Sequence, residues 1–307
     1  MKYHLYHDES KIDGYWHGML LVPENTKQFL FQYLEKIREN TGHSAPIGIK
    51  EIKSEGKVFT CAELWVLFAV GAMMTKFGKK KYPIKLGKQH KGKINWDGNY
   101  EDIVKFPIGA KFILFRERDN LKNMSDSLDY GGKVETTFRM GLKGGIHFLG
   151  DADNPIEITK MHFDGCEHYQ RSIDHQRIVG RLKDLREYFS IADGIYSIDD
   201  RTSDHKKEKD CQSYEDCQFL QLTDLLVGSF RVAHGFSTNN KNIHEIIAEP
   251  AKYLIRKYRE GYARMQNSRW KGAFCMSECF LENGKWNFQS IEYKSTGIKQ
   301  GNLFQIE

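Results

Sequence analysis

Two acidic residues, far apart in the chain, stand where a soluble protein usually puts a hydrophobe. Asp8 closes an apolar run that begins with Tyr3 and Leu5, in His7-Asp8-Glu9-Ser10. Asp224 is set inside Phe219-Leu220-Gln221-Leu222-Thr223-Asp224-Leu225-Leu226-Val227-Gly228. Carboxylates are rarely buried unless they are paired or bind a metal. A fold that buries both runs is therefore expected to bring the two acids into one site.

The pattern between them alternates strands and helices, which predicts an α/β fold. Residues 3–7 and 15–22 read as an antiparallel strand pair around a turn at residues 10–14. Pro23 and Glu24 open an amphipathic helix to about residue 40, ended by Gly42. Residues 60–77 read as a helix whose start, Thr60-Cys61-Ala62-Glu63, has capping-box form. Strand-like runs follow at residues 110–115 and 156–163. A helix over 134–149 is predicted despite Gly141, Gly144 and Gly145. A long amphipathic helix is expected over 167–189, a short strand over 194–198, and a charged, mobile loop over 201–215. The Asp224 helix is expected over 217–234. A helix over 243–259 is expected to break at Pro250. Asn283-Gly284 between residues 274–281 and 286–293 signals a β-hairpin.

Four acids fall at the ends of predicted elements or on their apolar faces: Asp8, Glu51 in Gly48-Ile49-Lys50-Glu51-Ile52-Lys53, Asp164 after the strand at 156–163, and Asp224. Ligand sites in open α/β sheets form at strand ends. Carboxylates gathered there repel one another until a hard divalent cation compensates them. Two such ions about 3.5–4 Å apart can activate a water and stabilise the leaving oxygen of a phosphodiester. Three further residues are secondary candidates. Glu9 is expected to point away from Asp8, because strand side chains alternate. Lys53 stands near Glu51, able to meet a phosphate or pair with that acid. Gln221 lies one turn before Asp224 on the same helix face.

Charge is distributed unevenly. The formal net charge is only +5, yet no acidic residue occurs between Glu63 and Asp97. Lys76, Lys79, Lys80, Lys81, Lys85, Lys88, Lys91 and Lys93 crowd that interval with His90, Tyr82 and Trp96. Such a stretch suits a phosphate backbone through counterion release. The 6 cysteines are scattered, which argues for reduced, buried thiols and against a disulfide scaffold or a zinc site. No run approaches the ~18 apolar residues of a membrane span. Met1-Lys2-Tyr3-His4-Leu5 does not read as a secretory leader. A cytoplasmic location without membrane contact is the expectation.

Together these residues resemble a ribonuclease H-like family of bacterial and phage proteins catalogued as a domain of unknown function. The motifs that carry the resemblance are Asp8-Glu9-Ser10, Glu51-Ile52-Lys53 and Leu220-Gln221-Leu222-Thr223-Asp224-Leu225, with His162-Phe163-Asp164 supplying a middle acid. Lys11 stands where that family usually has Gly, and Thr223 where Ala is commoner. Neither change removes a ligand. The resemblance covers roughly residues 1–235. It implies a ribonuclease H-like mixed sheet flanked by helices, with a basic insertion at about 78–97. Residues 236–307 would then be an extension, a helix plus a β-hairpin, packed on the same domain. It implies Asp8 and Asp164 on strands, Asp224 on a late helix, and a site in which these and Glu51 hold two Mg²⁺ or Mn²⁺ ions. The implied activity is metal-dependent cleavage of DNA or RNA, by analogy in bacterial antiviral defence; because an unregulated nuclease would be toxic, a regulatory protein partner is expected, or a homo-oligomer. The alternative is a non-catalytic nucleic-acid-binding or scaffold subunit on the same fold, using the lysine stretch and the apolar Leu303, Phe304 and Ile306 of the tail.

Overall fold

A computed structural model describes residues 1–73, 109–150, 155–165, 174–182, 189–192, 198–205, 211–252, 254–255 and 273–291. The lysine stretch at 76–93, including Lys79, Lys80, Lys81, Lys85, Lys88, Lys91 and Lys93, lies outside them, as do Cys166 and the tail from residue 292.

Seven strands form one mixed sheet: β1 (Lys2–Ser10), β2 (Tyr15–Pro23), β3 (Lys111–Glu117), β4 (Ile156–Phe163), β5 (Phe189–Ile191), β6 (Phe274–Glu282) and β7 (Lys285–Ser290). Their order across the sheet is β5-β4-β1-β2-β3-β6-β7. Strands β1, β2 and β3 run as an antiparallel meander. On the other side of β1, β4 pairs parallel to it and β5 parallel to β4. The hairpin β6–β7 extends the far edge, with β6 parallel to β3. Its turn residues Asn283 and Gly284 both have positive φ, 52° and 73°, as a tight two-residue hairpin turn requires.

Among the described residues, the helices that cover the two faces include α1 (Lys27–Thr41), α2 (Lys57–Met73), α3 (Tyr130–Leu149), α4 (His175–Leu182), α5 (Tyr214–Ala233) and α6 (Lys241–Ile247). Strand side chains alternate between faces, so β1 divides its residues. Tyr6 joins a core with Leu34, Trp65, Phe219 and Phe230 of α1, α2 and α5. Leu5 joins a second core with Phe138, Leu142 and Val179 of α3 and α4. Helix α2 is buried on nearly every side, and each large apolar side chain so buried contributes ~1.5–3 kcal/mol.

Several expectations are corrected. Helix α2 starts at Lys57, so Thr60 sits within its first turn, its N–H bonded to the Gly56 carbonyl at 2.9 Å; the capping-box pattern at 60–63 is incidental. Helix α3 begins at Tyr130, a turn earlier than expected, because the Asp129 carboxylate accepts the Gly132 N–H. Its glycines are packing sites rather than weak points. A Cβ at Gly141 would come within 2.6 Å of Phe115, and one at Gly145 within 2.5 Å of Ile113. The expected helix at 167–189 is described only as α4, and Phe189 instead begins β5, pairing with Ile156. The strand expected at 194–198 lies, but for Ile198, outside the described residues. The loop expected to be mobile over 201–215 is bonded into the core at its described ends. Thr202 bridges to Cys211, and buried Gln212 donates to the Phe163 carbonyl at 2.7 Å and the Arg201 carbonyl at 2.9 Å. The helix expected over 243–259 does break beside Pro250: α6 ends at Ile247, and helix resumes at residue 249. No described helix is long and apolar enough to cross a membrane.

Candidate carboxylate site

Strands β1 and β4 are parallel neighbours with His7 opposite Phe163, and the Asp164 N–H donates to the His7 carbonyl at 3.1 Å. Asp8 and Asp164 therefore stand side by side towards the same end of two neighbouring interior strands. Tyr6 and His162, two residues before each of them, stack with ring centroids 4.8 Å apart, so both acids share the α5 face. Helix α5 lies across that face, Phe219 packing on Tyr6 at 5.0 Å. Asp224, a little more than one turn later, meets the two strand acids.

The carboxyls act on one another. Burial, reinforced by the Asp224 and Asp164 charges, holds Asp8 well above the usual carboxylate range, against the Glu9 N–H, which favours its ionised form. Burial pushes Asp224 up to about 6, against the pull of the Ile49 N–H and the Lys50 charge. Burial also raises Asp164, although Ser203 hydrogen-bonds it. Asp8 Oδ2 is buried and meets no hydrogen-bond partner among the described residues. These directions describe a group short of positive charge, because burial disfavours the ionised form of each acid.

Glu51 reaches the same place from a different element. It ends a 3₁₀ turn, Ile49–Glu51, whose Ile49 N–H donates to Asp224 Oδ2 at 2.6 Å. Gly48 lies at ordinary contact distance from both acids. A Cβ there would lie 3.5 Å from Asp224 Oδ2 and 3.7 Å from Glu51 Oε2. Glu51 itself is exposed. The turn is seated on α5 at Gly228, where a Cβ would come within 2.6 Å of Ile49.

The secondary candidates divide. Glu9 turns to the opposite face, accepting the Tyr15 hydroxyl and lying 3.4 Å from Lys11 Nζ. Lys53 is exposed, and its backbone carbonyl accepts from Asn240 at 2.6 Å; the lysine whose charge bears on Asp224 is Lys50. Gln221 is a tie beneath the site. Its carbonyl oxygen accepts from Arg38 at 2.8 Å and the Ile47 N–H at 3.0 Å, and its amide donates to the Ser203 carbonyl at 3.0 Å. Ser203 in turn donates its N–H to Asp164 Oδ1 at 3.0 Å. One buried amide thus holds the segments that orient Asp164 and carry Glu51. Ser203 is a partner that no local pattern announces.

A second polar cluster lies two turns earlier on α5. His4, His162 and Asp216 each offer a ligand atom within 4.8 Å of the others. Asp216 Oδ1 already accepts from Tyr6 at 2.6 Å and from the Lys27 ammonium at 2.7 Å, while Oδ2 accepts from Ser213 at 2.6 Å. Burial alone would raise Asp216, but His162, Lys27, Ser213 and Tyr6 hold it below the usual range. Lys27 fills the role a cation would take, so this cluster reads as a buried ion-pair network. The five described cysteines are free, with Cys211 and Cys217 sulfurs 3.1 Å apart.

Comparison of the chain with protein-family models, with curated proteins and with solved structures gives no match.

Proposed function

We propose that this chain is a divalent-metal-dependent nuclease with a ribonuclease H-like arrangement of its sheet and late helix. The observation that carries the reading is the meeting of Asp8, Asp164 and Asp224 from β1, β4 and α5, with Asp8 Oδ2 buried and lacking a donor among the described residues. The fit to a metal follows from the donor chemistry. The four acids offer only hard oxygen atoms, and no described ammonium or guanidinium pairs directly with Asp8, Asp164 or Asp224, unlike Asp216 with its Lys27. Hard oxygen donors of high charge suit Mg²⁺ or Mn²⁺. Asp8, Asp164, Asp224 and Glu51 would hold the metal, which when bound lowers the pKa of a coordinated water and offsets charge on a phosphodiester.

The chain's own residues then orient and preorganise. Ile49 N–H fixes one oxygen of Asp224, Ser203 N–H fixes one of Asp164, and Gln221 holds both supporting segments. Supporting partners of this kind keep ligating carboxylates in a single orientation. The substrate is DNA or RNA, met on this reading by the lysine-rich stretch 76–93.

The test is incubation of labelled single- and double-stranded DNA and RNA with Mg²⁺, Mn²⁺ or EDTA. Metal-dependent cleavage of at least one substrate is expected. Tight binding with no cleavage under any condition would replace the enzyme by a nucleic-acid-binding subunit.

A further inference from the structure

Three arginines from two helices converge on one acid. Glu135 of α3 is buried, and its Oε2 meets Arg177 Nε at 2.6 Å and Nη2 at 2.5 Å. Its Oε1 accepts from Arg181 Nη1 at 3.2 Å. The third guanidinium, that of Arg139, approaches Oε1 only to 3.7 Å. Its Nε is buried without a hydrogen-bond partner among the described residues. Three positive charges thus share one negative charge. Burial and then the Arg181 charge hold Arg139 below its usual range, with Glu135 opposing and Arg177 adding to the effect. The Asp174 and Asp129 charges also bear on Arg177. Each of those carboxylates caps a helix, accepting the Arg177 N–H at 2.9 Å and the Gly132 N–H at 2.7 Å.

The cluster is open to solvent. The Arg177 and Arg181 side chains are 40% and 51% exposed, while Ile178, Val179 and Leu182 of the same helix are buried. It also stands at the same end of the sheet as the acids. Helix α3 starts there: the Tyr130 hydroxyl lies 3.2 Å from that of Tyr15, which opens β2 beside the Asp8 end of β1. Helix α4 starts there too. His175 Nε2 lies 3.4 Å from Asp200 Oδ2, next to the Asp199–His162 bridge at the Asp164 end of β4. The acids lie on the α5 face and the arginines on α3 and α4, so the two groups flank one end of the sheet.

We propose that Arg139, Arg177 and Arg181 form a phosphate-binding surface for the backbone of a polynucleotide whose cleaved bond lies at the acids. That the polyanion is a nucleic acid rests on the nuclease reading; that the surface is short of negative charge does not. The planar fork of a guanidinium matches phosphate oxygens, and it is more weakly hydrated than an ammonium. Backbone phosphates that reach such a surface release counterions, so binding strengthens as salt falls. Contacts of this kind position a strand without reading its sequence. Glu135 gathers the three like charges before the strand arrives.

The test is fluorescence anisotropy of labelled single- and double-stranded DNA and RNA in EDTA, over a range of salt. The double change Arg139→Gln with Arg181→Gln leaves Arg177 on Glu135. It should weaken binding roughly tenfold at about 0.1 M salt and make the slope of log Kd against log salt shallower by about one to two. Gly180→Glu is the second variant. Gly180 is exposed on α4 between Arg177 and Arg181, and a Cβ there meets nothing within 4 Å. A carboxylate at this position, one turn from Arg177, should compete with phosphate for the guanidinium and leave the fold intact. Gly180→Gln is the uncharged control and should bind as wild type does. Wild type that binds no nucleic acid, or binding undiminished in a folded double variant or in Gly180→Glu, would overturn the proposal. Binding that responds to these changes, without metal-dependent cleavage in a parallel assay, would overturn the nuclease reading alone. Cleavage with binding indifferent to them would overturn the arginine assignment alone.

Discussion

The Ile49 backbone N–H donates to Asp224 Oδ2 at 2.6 Å, joining a short turn to a helix far along the chain. This one bond fixes the carboxylate of α5 and, two residues on, the base of Glu51. It also explains why the turn is seated on a glycine of α5: any side chain at Gly228 would lift Ile49 away from the helix.

Gly228→Ala is accordingly expected to destabilise the protein by ~1–3 kcal/mol, the usual range for forcing extra atoms into a packed contact. Because the turn carries both the Ile49 N–H and Glu51, Mn²⁺ affinity should fall with it. Gly144→Ala is the control, since a Cβ there meets nothing within 4 Å; in mid-helix it should be neutral or stabilising by roughly 0.5–1 kcal/mol. Urea unfolding and Mn²⁺ titration of the two variants check both statements.

Between about pH 4 and 7 the raised acids weaken the metal-free fold as pH rises, while buried His4 and His7, held down to about 3, and His17 and His162, lowered in the same way, strengthen it. The share of Asp224 is read as the difference between wild type and Asp224→Asn. Asp224 is raised to about 6 in the fold, against about 3.9 in an unfolded chain. A group raised by folding contributes stability that is full below its unfolded value and lost as pH passes its folded one. Asp8 and Asp164 shift in the same direction. Asp216 is held low, so its contribution is lost only at more acidic pH, outside this window. Melting temperature against pH in EDTA, repeated in Mg²⁺, reads the effect. In EDTA the stability of Asp224→Asn relative to wild type should rise with pH across this window, and a difference that stays flat or falls would contradict the account.

Asp224→Asn should make the metal-free protein more stable at pH 7.5, by ~1–2 kcal/mol or roughly 2–6 °C. The amide keeps an oxygen for the Ile49 N–H and removes the charge. The same change should abolish the melting shift that Mg²⁺ produces in wild type through mass action. Gain of stability with loss of metal response is the behaviour of a ligand, not of a structural carboxylate. Differential scanning calorimetry with and without Mg²⁺ distinguishes the two.

Gln221→Leu should destabilise by ~1–3 kcal/mol, because the Ile47 N–H and the Ser203 carbonyl lose their buried partner. Its further effect is on the site. Ser203 would no longer be held against Asp164, so metal affinity should fall by roughly 10–100-fold, as for loss of other supporting partners. Denaturant unfolding and Mn²⁺ binding, measured on the same samples, check the pair.

What was legible in the sequence is what local pattern encodes. Alternation marks β1 and β2, Asn283-Gly284 marks the last hairpin, and the apolar surroundings of Asp224 mark a helix with one acid out of place. Asp8, Asp164 and Asp224 could be singled out because each breaks such a pattern. Short β5 could not: Phe189 continues the apolar period of the preceding run, and only pairing with Ile156 makes it a strand. Thr60-Cys61-Ala62-Glu63 has the letters of a helix start, but the helix has already begun at Lys57. Ser203 and Ile49 serve through backbone N–H groups, which leave no trace in side-chain identity.

The most direct measurement is the rate at which the wild type and the folded Asp8→Asn variant cleave the preferred nucleic acid in Mg²⁺. Asp8→Asn should lower the rate by more than the ~100-fold that loss of a mere supporting partner produces, with its circular dichroism unchanged. Equal cleavage by the two proteins would contradict a catalytic site built on Asp8, Asp164 and Asp224.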